Sequence, residues 1–296
     1  MDLENFDYPE FAKYEVVDSS NFVNFGSNEA CVLGIDEAGR GPTLGPMVYA
    51  VAVSPVSLYS ELKPLGLDDS KALTEAKRDI IFKKMVEDEW TRERLAYRLN
   101  VISPRMISAK MMMEGSKGAL NEMSHSSCID LIQACLDNGI NVKEIYVDTV
   151  GPKDKYQKKL AEIFGKKIKI VVSEKADSKF PIVSAASIAA KVTRDERVKN
   201  WVFEEGEKDL TRDYGSGYPS DPKTKKWIAA NCHPVYGFPS IVRFSWGTAQ
   251  KIMEKQCCKV NWDPYNQKVV EKKSKFGKRP VLTLDNFFTK APPSKK

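Results

Sequence analysis

The sequence predicts an α/β fold, in which short strands form a sheet with helices packed against it. Three observations lead there. Cys31-Val-Leu-Gly-Ile35 is a short apolar run that suits a buried strand, and it ends in two adjacent acids, Asp36 and Glu37. Glu144-Ile-Tyr-Val-Asp148 repeats the pattern, delivering one acid at its carboxyl end. Helix-length segments at 104–113, 117–137 and 153–164 alternate with such runs. If the two acid-ended strands lie side by side and parallel, they open on one crevice, where open α/β sheets bind their ligands.

Residues 1–28 mix acids and aromatics without a period and read as an arm packed on the core or on a partner. After the first strand come Gly39-Arg40-Gly41-Pro42. Neighbours in a regular strand point to opposite faces, so Asp36 and Glu37 serve one site only if the chain leaves the strand between them. Glycines permit such a bend and bring bare backbone N–H groups close to a ligand. The stretch suggests metal and phosphate chemistry; taken alone, it equally fits a solvated acidic turn. A second strand is expected at 47–53, stopped by Ser54-Pro55, then a loop at 68–74 and one helix from Thr74 to about Glu89. Residues 95–99 alternate like a third strand, with Arg94 and Arg98 as a solvated face.

Met111, Met112 and Met113 read as core filler rather than as a soft binding surface. Asn138-Gly139 closes the second long helix as a glycine cap and leads into the Asp148 strand. Residues 168–172 supply a fifth strand. Asp177 precedes a helix opened by Pro181 and rich in small residues (Ser184, Ala185, Ala186, Ser187), which let it approach the sheet closely. Helix packing alone also explains those residues. Arg194 and Arg197 lie on its polar face. Gly215-Ser-Gly-Tyr-Pro-Ser-Asp-Pro222 is turn chemistry and opens a smaller helical extension with short helices from Lys223 and after Arg243. Beyond Asp263 the chain is lysine-rich and aperiodic, so disorder is expected.

Composition narrows the classes. A hydrophobic content of 42% with five Trp and thirteen Phe supports a globular core. No apolar run approaches the roughly 20 residues of a membrane helix, and the acidic, polar start is unlike a secretory signal. The net charge is +6, and the tail from Asp263 holds all of it, with nine basic and three acidic residues. Phosphate binding must then rest on local placement rather than on overall attraction. The six cysteines form no C-x-x-C pair and the two histidines are isolated, which speaks against zinc and for reduced thiols. Four acids converging from Asp36, Glu37, Asp148 and Asp177 would repel one another, and hard divalent cations such as Mg²⁺ would fill that site.

Asp36-Glu-Ala-Gly-Arg-Gly-Pro42, Asp69-Ser-Lys71, Asp148, Lys175-Ala-Asp177, Ser184-Ala-Ala-Ser-Ile188 and Tyr214-Gly-Ser-Gly-Tyr-Pro-Ser-Asp-Pro-Lys-Thr-Lys225 resemble the type 2 ribonucleases H (ribonuclease HII family), most of all the eukaryotic catalytic chain of that type. The matching motifs run in the family's order from about Cys31 to Trp246. The resemblance implies an RNase H-like fold, a mixed five-stranded sheet flanked by helices, over residues 29–214. Residues 215–262 then form the C-terminal extension and 263–296 the tail. It also implies hydrolysis of RNA in RNA–DNA hybrids and incision 5′ of single ribonucleotides in duplex DNA, leaving 3′-OH and 5′-phosphate. Its implied roles are ribonucleotide removal and Okazaki primer processing, in the nucleus and also the cytoplasm.

By the same resemblance, Asp36, Glu37, Asp148 and Asp177 are catalytic and hold two Mg²⁺ ions, with Mn²⁺ as substitute. Gly39, Arg40 and Gly41 form the ribose-sensing turn, and Tyr218 stacks on the next sugar. Asn121, Arg194 and Thr248 form a DNA-phosphate pocket, with Lys71 near the scissile bond. Implied partners are accessory subunits B and C in a heterotrimer. Leu284-Asp-Asn-Phe-Phe288 resembles the hydrophobic part of a sliding-clamp (PCNA) peptide through Leu284, Phe287 and Phe288, although Val281 stands where that peptide has glutamine. The competing expectations are another RNase H-like nuclease, of resolvase or integrase type, and a non-catalytic nucleic-acid binding subunit.

Overall fold

The computed structural model describes residues 15–259 except 24, 27, 68–72, 114–115 and 204–209. In chain order the elements are strand β1 (Glu15–Asp18), β2 (Cys31–Ala38), β3 (Met47–Pro55), a 3₁₀ segment (Val56–Leu65), helices α1 (Glu75–Glu87) and α2 (Glu89–Arg94), and β4 (Ala96–Ile102). There follow α3 (Pro104–Met113), α4 (Ser116–Asp137), β5 (Val142–Asp148), α5 (Lys153–Phe164), β6 (Lys169–Ser173), α6 (Ala176–Lys179), α7 (Pro181–Lys199), α8 (Pro222–Ala230) and α9 (Gly247–Gln256). Among the described residues no helix is long and apolar enough to cross a membrane.

The strands form one mixed sheet in the order β1-β4-β3-β2-β5-β6. The pairs among β1, β4, β3 and β2 are antiparallel, while β2–β5 and β5–β6 are parallel. The α/β expectation holds, but the sheet has six strands rather than five. The sixth is β1, from the segment read as an arm: Glu15 lies opposite Val101 and Asp18 opposite Arg98. Four residues with no buried side chain have no alternation to detect; cross-strand bonding makes them a strand.

Alternation along β2 builds two cores. Cys31, Leu33 and Ile35 join Tyr49, Val51, Leu131 and Leu160 on one face. Val32 and Ala38 join Ala50, Ala52 and the small residues of α7 on the other. The contact with α7 depends on Gly34, where a β-carbon would stand 2.4 Å from the Ile182 carbonyl carbon. Pro181 occupies the first turn of α7, as its rigid φ favours. Helix 74–89 divides in two. Asp88 ends α1, and its carboxylate accepts from the Thr91 N–H at 2.9 Å and the Thr91 hydroxyl at 2.6 Å, which starts α2. Ser54 and Pro55 do not break the second strand, which runs on to Pro55.

Arg94 and Arg98 are not a solvated face. Arg98 bonds Asp18 at 3.2 Å and lies over the Phe22 ring, while Arg94 bonds Glu61 at 2.8 Å and stacks on Trp90. Of the methionines, Met111 packs on the first core whereas Met112 is half exposed. A third core gathers Leu44, Tyr214, Trp227, Ile228, Ile241, Val242 and Ala249, and it joins α8 and α9 to the loop that follows β2.

Candidate active site

The site lies at the carboxyl ends of the two parallel central strands. Ile35 is registered beside Val147, so the next residues, Asp36 and Asp148, come side by side. The sequence let Asp36 and Glu37 serve one site only if the chain left the strand between them, and β2 does not leave the sheet there. It continues in register to Ala38, with Asp36 opposite Ala50 and Glu37 opposite Tyr49. The two acids therefore belong to opposite faces and can share a ligand only over the end of the sheet. Asp36 accepts the Glu37 N–H at 2.7 Å and a hydrogen bond from the Ser187 hydroxyl of α7. Glu37 faces Tyr49 and Arg40 on the other side.

Asp177 reaches the cluster through an unusual turn. Lys175 has φ 52°, the one non-glycine positive φ among the described residues, and it reverses the chain after β6. Such a conformation is held only where the surroundings over-determine it. The next N–H, that of Ala176, donates to Asp148 Oδ1 at 2.8 Å, which ties the start of α6 to the end of β5. Asp177 itself is 3% exposed.

The electrostatics show the crowding. Burial first, and then the neighbouring Asp148, push the Asp36 carboxyl far above the usual range. Burial, Asp36 and Asp148 push Glu37 up in the same way, with Arg40 and Tyr49 opposing. Glu37 Oε2 is buried without a close hydrogen-bond partner. A hard divalent cation suits this oxygen-only donor set and would relieve the repulsion. Among the described residues no three acids are drawn close enough to enclose an ion by themselves.

Beside the acids, Gly39 turns the chain with φ +78°, and a β-carbon there would stand 2.5 Å from the Pro46 carbonyl oxygen. The turn is held from behind by residues that the sequence gives little reason to single out. Arg243 is fully buried and donates to the carbonyls of Gly39 at 2.5 Å, Arg40 at 3.1 Å and Gly45 at 2.8 Å. The Trp246 indole N–H donates to the Gly41 carbonyl at 3.0 Å. Every peptide bond here is trans, so each carbonyl pulled back turns the following N–H forward. The N–H groups of Arg40 and Gly41 therefore point away from Arg243, toward the open side. Burial draws the Arg243 guanidinium down to about 9, so it stays charged at neutral pH. The available signal was an arginine set in the apolar run Ser240-Ile-Val-Arg-Phe.

Tyr218 stands against this turn: a β-carbon at Gly41 would lie 3.4 Å from Tyr218 Cε1. Its loop is fastened by the Thr43 N–H donating to the Gly217 carbonyl at 2.8 Å and by the Gly217 N–H donating to Thr224 Oγ1 at 2.9 Å. Asn121 accepts a hydrogen bond from Arg40. Arg194 packs on Gly39, pairs with Asp195 at 2.9 Å and donates to the Leu44 carbonyl at 3.4 Å. Thr248 is half-buried in the first turn of α9. No hydrogen bond among the described residues joins Asn121, Arg194 and Thr248 into one pocket; they border the turn separately. Lys71, Leu284, Phe287 and Phe288 lie outside the described residues.

A family model described as Ribonuclease HII matches residues 33–249. The chain is 56% identical over 252 residues to a protein of Caenorhabditis elegans named as the A subunit of Ribonuclease H2, covering 85% of this chain and 84% of that one. A crystal structure of the ribonuclease H2 from Pyrococcus horikoshii superposes with TM-score 0.61 at 33% identity, over 76% of this chain and 98% of that one. A PCNA:RNase HII complex from Archaeoglobus fulgidus gives TM-score 0.58 at 30% identity, over 75% and 96%. The matched span contains the acid-ended strands, the held turn and Tyr218, and so the chain belongs to the ribonuclease HII family, in the branch of its eukaryotic catalytic chains, and is a ribonuclease H.

Proposed function

We propose that the chain cleaves the RNA strand of RNA–DNA hybrids and incises 5′ of single ribonucleotides in duplex DNA, leaving 3′-OH and 5′-phosphate. The observation that carries the reading is the Gly39–Arg40–Gly41 turn, with its carbonyls drawn back onto Arg243 and Trp246 and its N–H groups turned out beside Tyr218. The 2′-OH is the group that separates RNA from DNA at one position. A backbone donor pair with no side chain in the way suits that hydroxyl, and Tyr218 stacks on the next sugar and bonds the same oxygen. A site built to bond a hydroxyl rejects the analogue that lacks it, because its own polar groups are then left unpaired.

Asp36, Glu37, Asp148 and Asp177 would hold two Mg²⁺ or Mn²⁺ ions. When bound, such ions activate the attacking water and stabilise the leaving oxygen in phosphodiester hydrolysis. Ser187 and the Glu37 N–H fix the Asp36 carboxylate, and the Ala176 N–H fixes that of Asp148. Arg40, bonded to Asn121, would meet a substrate phosphate beside the turn. A resolvase-type nuclease would leave the held turn and Tyr218 without a task, and a non-catalytic subunit would not need four acids.

The test is cleavage of a DNA duplex with one ribonucleotide, in Mg²⁺ and then in chelator, by this chain alone and with subunits B and C. A metal-dependent cut 5′ of the ribonucleotide is expected, while cleavage of a DNA-only junction instead would favour the resolvase reading. Ribonucleotide removal and primer processing follow from that product. The nematode relative, named as one lettered subunit of its enzyme, supports a heterotrimer. The archaeal PCNA complex supports clamp binding through Leu284, Phe287 and Phe288, which alanine at those three positions would abolish without changing cleavage of short duplexes.

A further inference from the structure

At the far end of the extension two thiols meet. Cys232 follows α8 and Cys257 ends α9, 25 positions apart, yet their Sγ atoms stand 3.4 Å from one another. Both are half-buried free thiols. The ends of the two helices are already fastened together there: Cys257 Sγ donates to the His233 carbonyl at 3.5 Å and the Cys258 N–H to the Pro234 carbonyl at 2.8 Å. Cys31, Cys128 and Cys135 are sealed in the first core, where burial pushes the thiols of Cys31 to about 11 and Cys128 to about 12. Those three are inert toward thiol reagents.

We propose that Cys232 and Cys257 form a reversible dithiol–disulfide site that takes a low-molecular-weight disulfide, such as oxidised glutathione, as its reactant. Burial and the adjacent Cys257 push the Cys232 thiol up. Either sulfur can open the exchange, here Cys257. Its thiolate attacks one sulfur of the small disulfide and expels one thiolate, which leaves a mixed disulfide on Cys257. Cys232, losing its proton to solvent, then attacks the Cys257 sulfur and expels the second small thiolate. The pair is oxidised by two electrons and the small disulfide is reduced to two thiols. Forming the bond needs the sulfurs to close from 3.4 Å to about 2.05 Å.

The site has a mechanical consequence. Asp221, at the start of α8, accepts from the Ser216 N–H at 2.7 Å and so braces the Tyr218 loop. α9 begins directly after Trp246, which holds the Gly41 carbonyl. A bond at the opposite ends clamps together two helices that meet the substrate-sensing turn, and by closing a loop it also restricts the unfolded chain.

The full chain is equilibrated with graded mixtures of reduced and oxidised glutathione, alkylated, digested and mapped without reduction. A peptide pair joined through Cys232 and Cys257 is expected, reversed by dithiothreitol, with the oxidised chain melting roughly 5 °C higher than the reduced one. Glutathione adducts with no internal link, a link between any other pair, or an unchanged melting temperature would overturn the proposal. Phenylarsine oxide gives a check that needs no oxidant: in a Cys258→Ser background one equivalent binds the reduced chain, and binding is lost when Cys232→Ser or Cys257→Ser is added. Binding that persists in either variant counts against the site.

Discussion

The ring of Tyr218 lies against the α-carbon of Gly41, 3.4 Å from where a β-carbon would stand. Two segments more than 170 positions apart in sequence thus make one surface, with outward N–H groups on one side and a half-exposed aromatic on the other. Tyr218→Phe keeps the ring and removes only the hydroxyl. Turnover at a single embedded ribonucleotide should fall roughly 10- to 100-fold, the scale of one hydrogen bond to a polar group left unmet. Binding to the same duplex should change far less. Single-turnover cleavage alongside titration of the uncleaved duplex checks this, and equal losses in both would count against the role.

The two glycines of the turn should separate stability from activity. At Gly39 an added methyl meets the Pro46 carbonyl at 2.5 Å and must adopt φ +78°, so Gly39→Ala is expected to cost about 2 kcal/mol or more. At Gly41 the nearest atom is at ordinary contact distance. Gly41→Ala should therefore melt within about 0.5 kcal/mol of the parent and still lose most of its cleavage, because under the proposed reading the methyl would meet the incoming sugar. Thermal melts paired with cleavage rates decide it.

Arg243 is a buried cation whose described partners are carbonyls rather than carboxylates. Arg243→Ala removes all three bonds and leaves buried acceptors unmet, at about 1–3 kcal/mol for each one that water cannot reach. Arg243→Lys keeps the charge but not the planar fork. It should fold and lose kcat with little change in KM for the hybrid, since the turn loses its set rather than its charge. Denaturant melts and steady-state kinetics distinguish the two effects.

The crowded acids make metal-free stability depend on pH. The folded-state pKa values of Asp36 and Glu37 are raised, so the stability they allow is full below the ordinary carboxylate range near pH 4. It is lost as pH rises through the folded values, each group contributing a slope of at most about 1.4 kcal/mol for every pH unit crossed. In chelator, the melting temperature of the parent should fall from pH 5 toward pH 8. Asp36→Asn should flatten that fall and abolish cleavage. Added Mg²⁺ should raise the parent's melting temperature most at the alkaline end and the variant's much less.

The amino-acid order by itself determined the α/β class, the helices at 104–113 and 153–164, the buried strand that starts at Cys31, and the acids carried at the strand ends. Each is a local matter of apolar spacing, caps and strand length. It also carried the family motifs, and with them the identities of the acids. Only the tertiary structure decided that Glu15–Asp18 is a sixth strand, because an exposed edge strand is made by its partner's hydrogen bonds and not by its own pattern. It alone decided that Asp36 and Glu37 stay in the strand on opposite faces, since register is set by β3 across the sheet. Arg243 is the extreme case. Its bond to Gly39 spans 204 positions, and no window of sequence contains both ends of a contact that exists because the third core folds the chain back onto the turn.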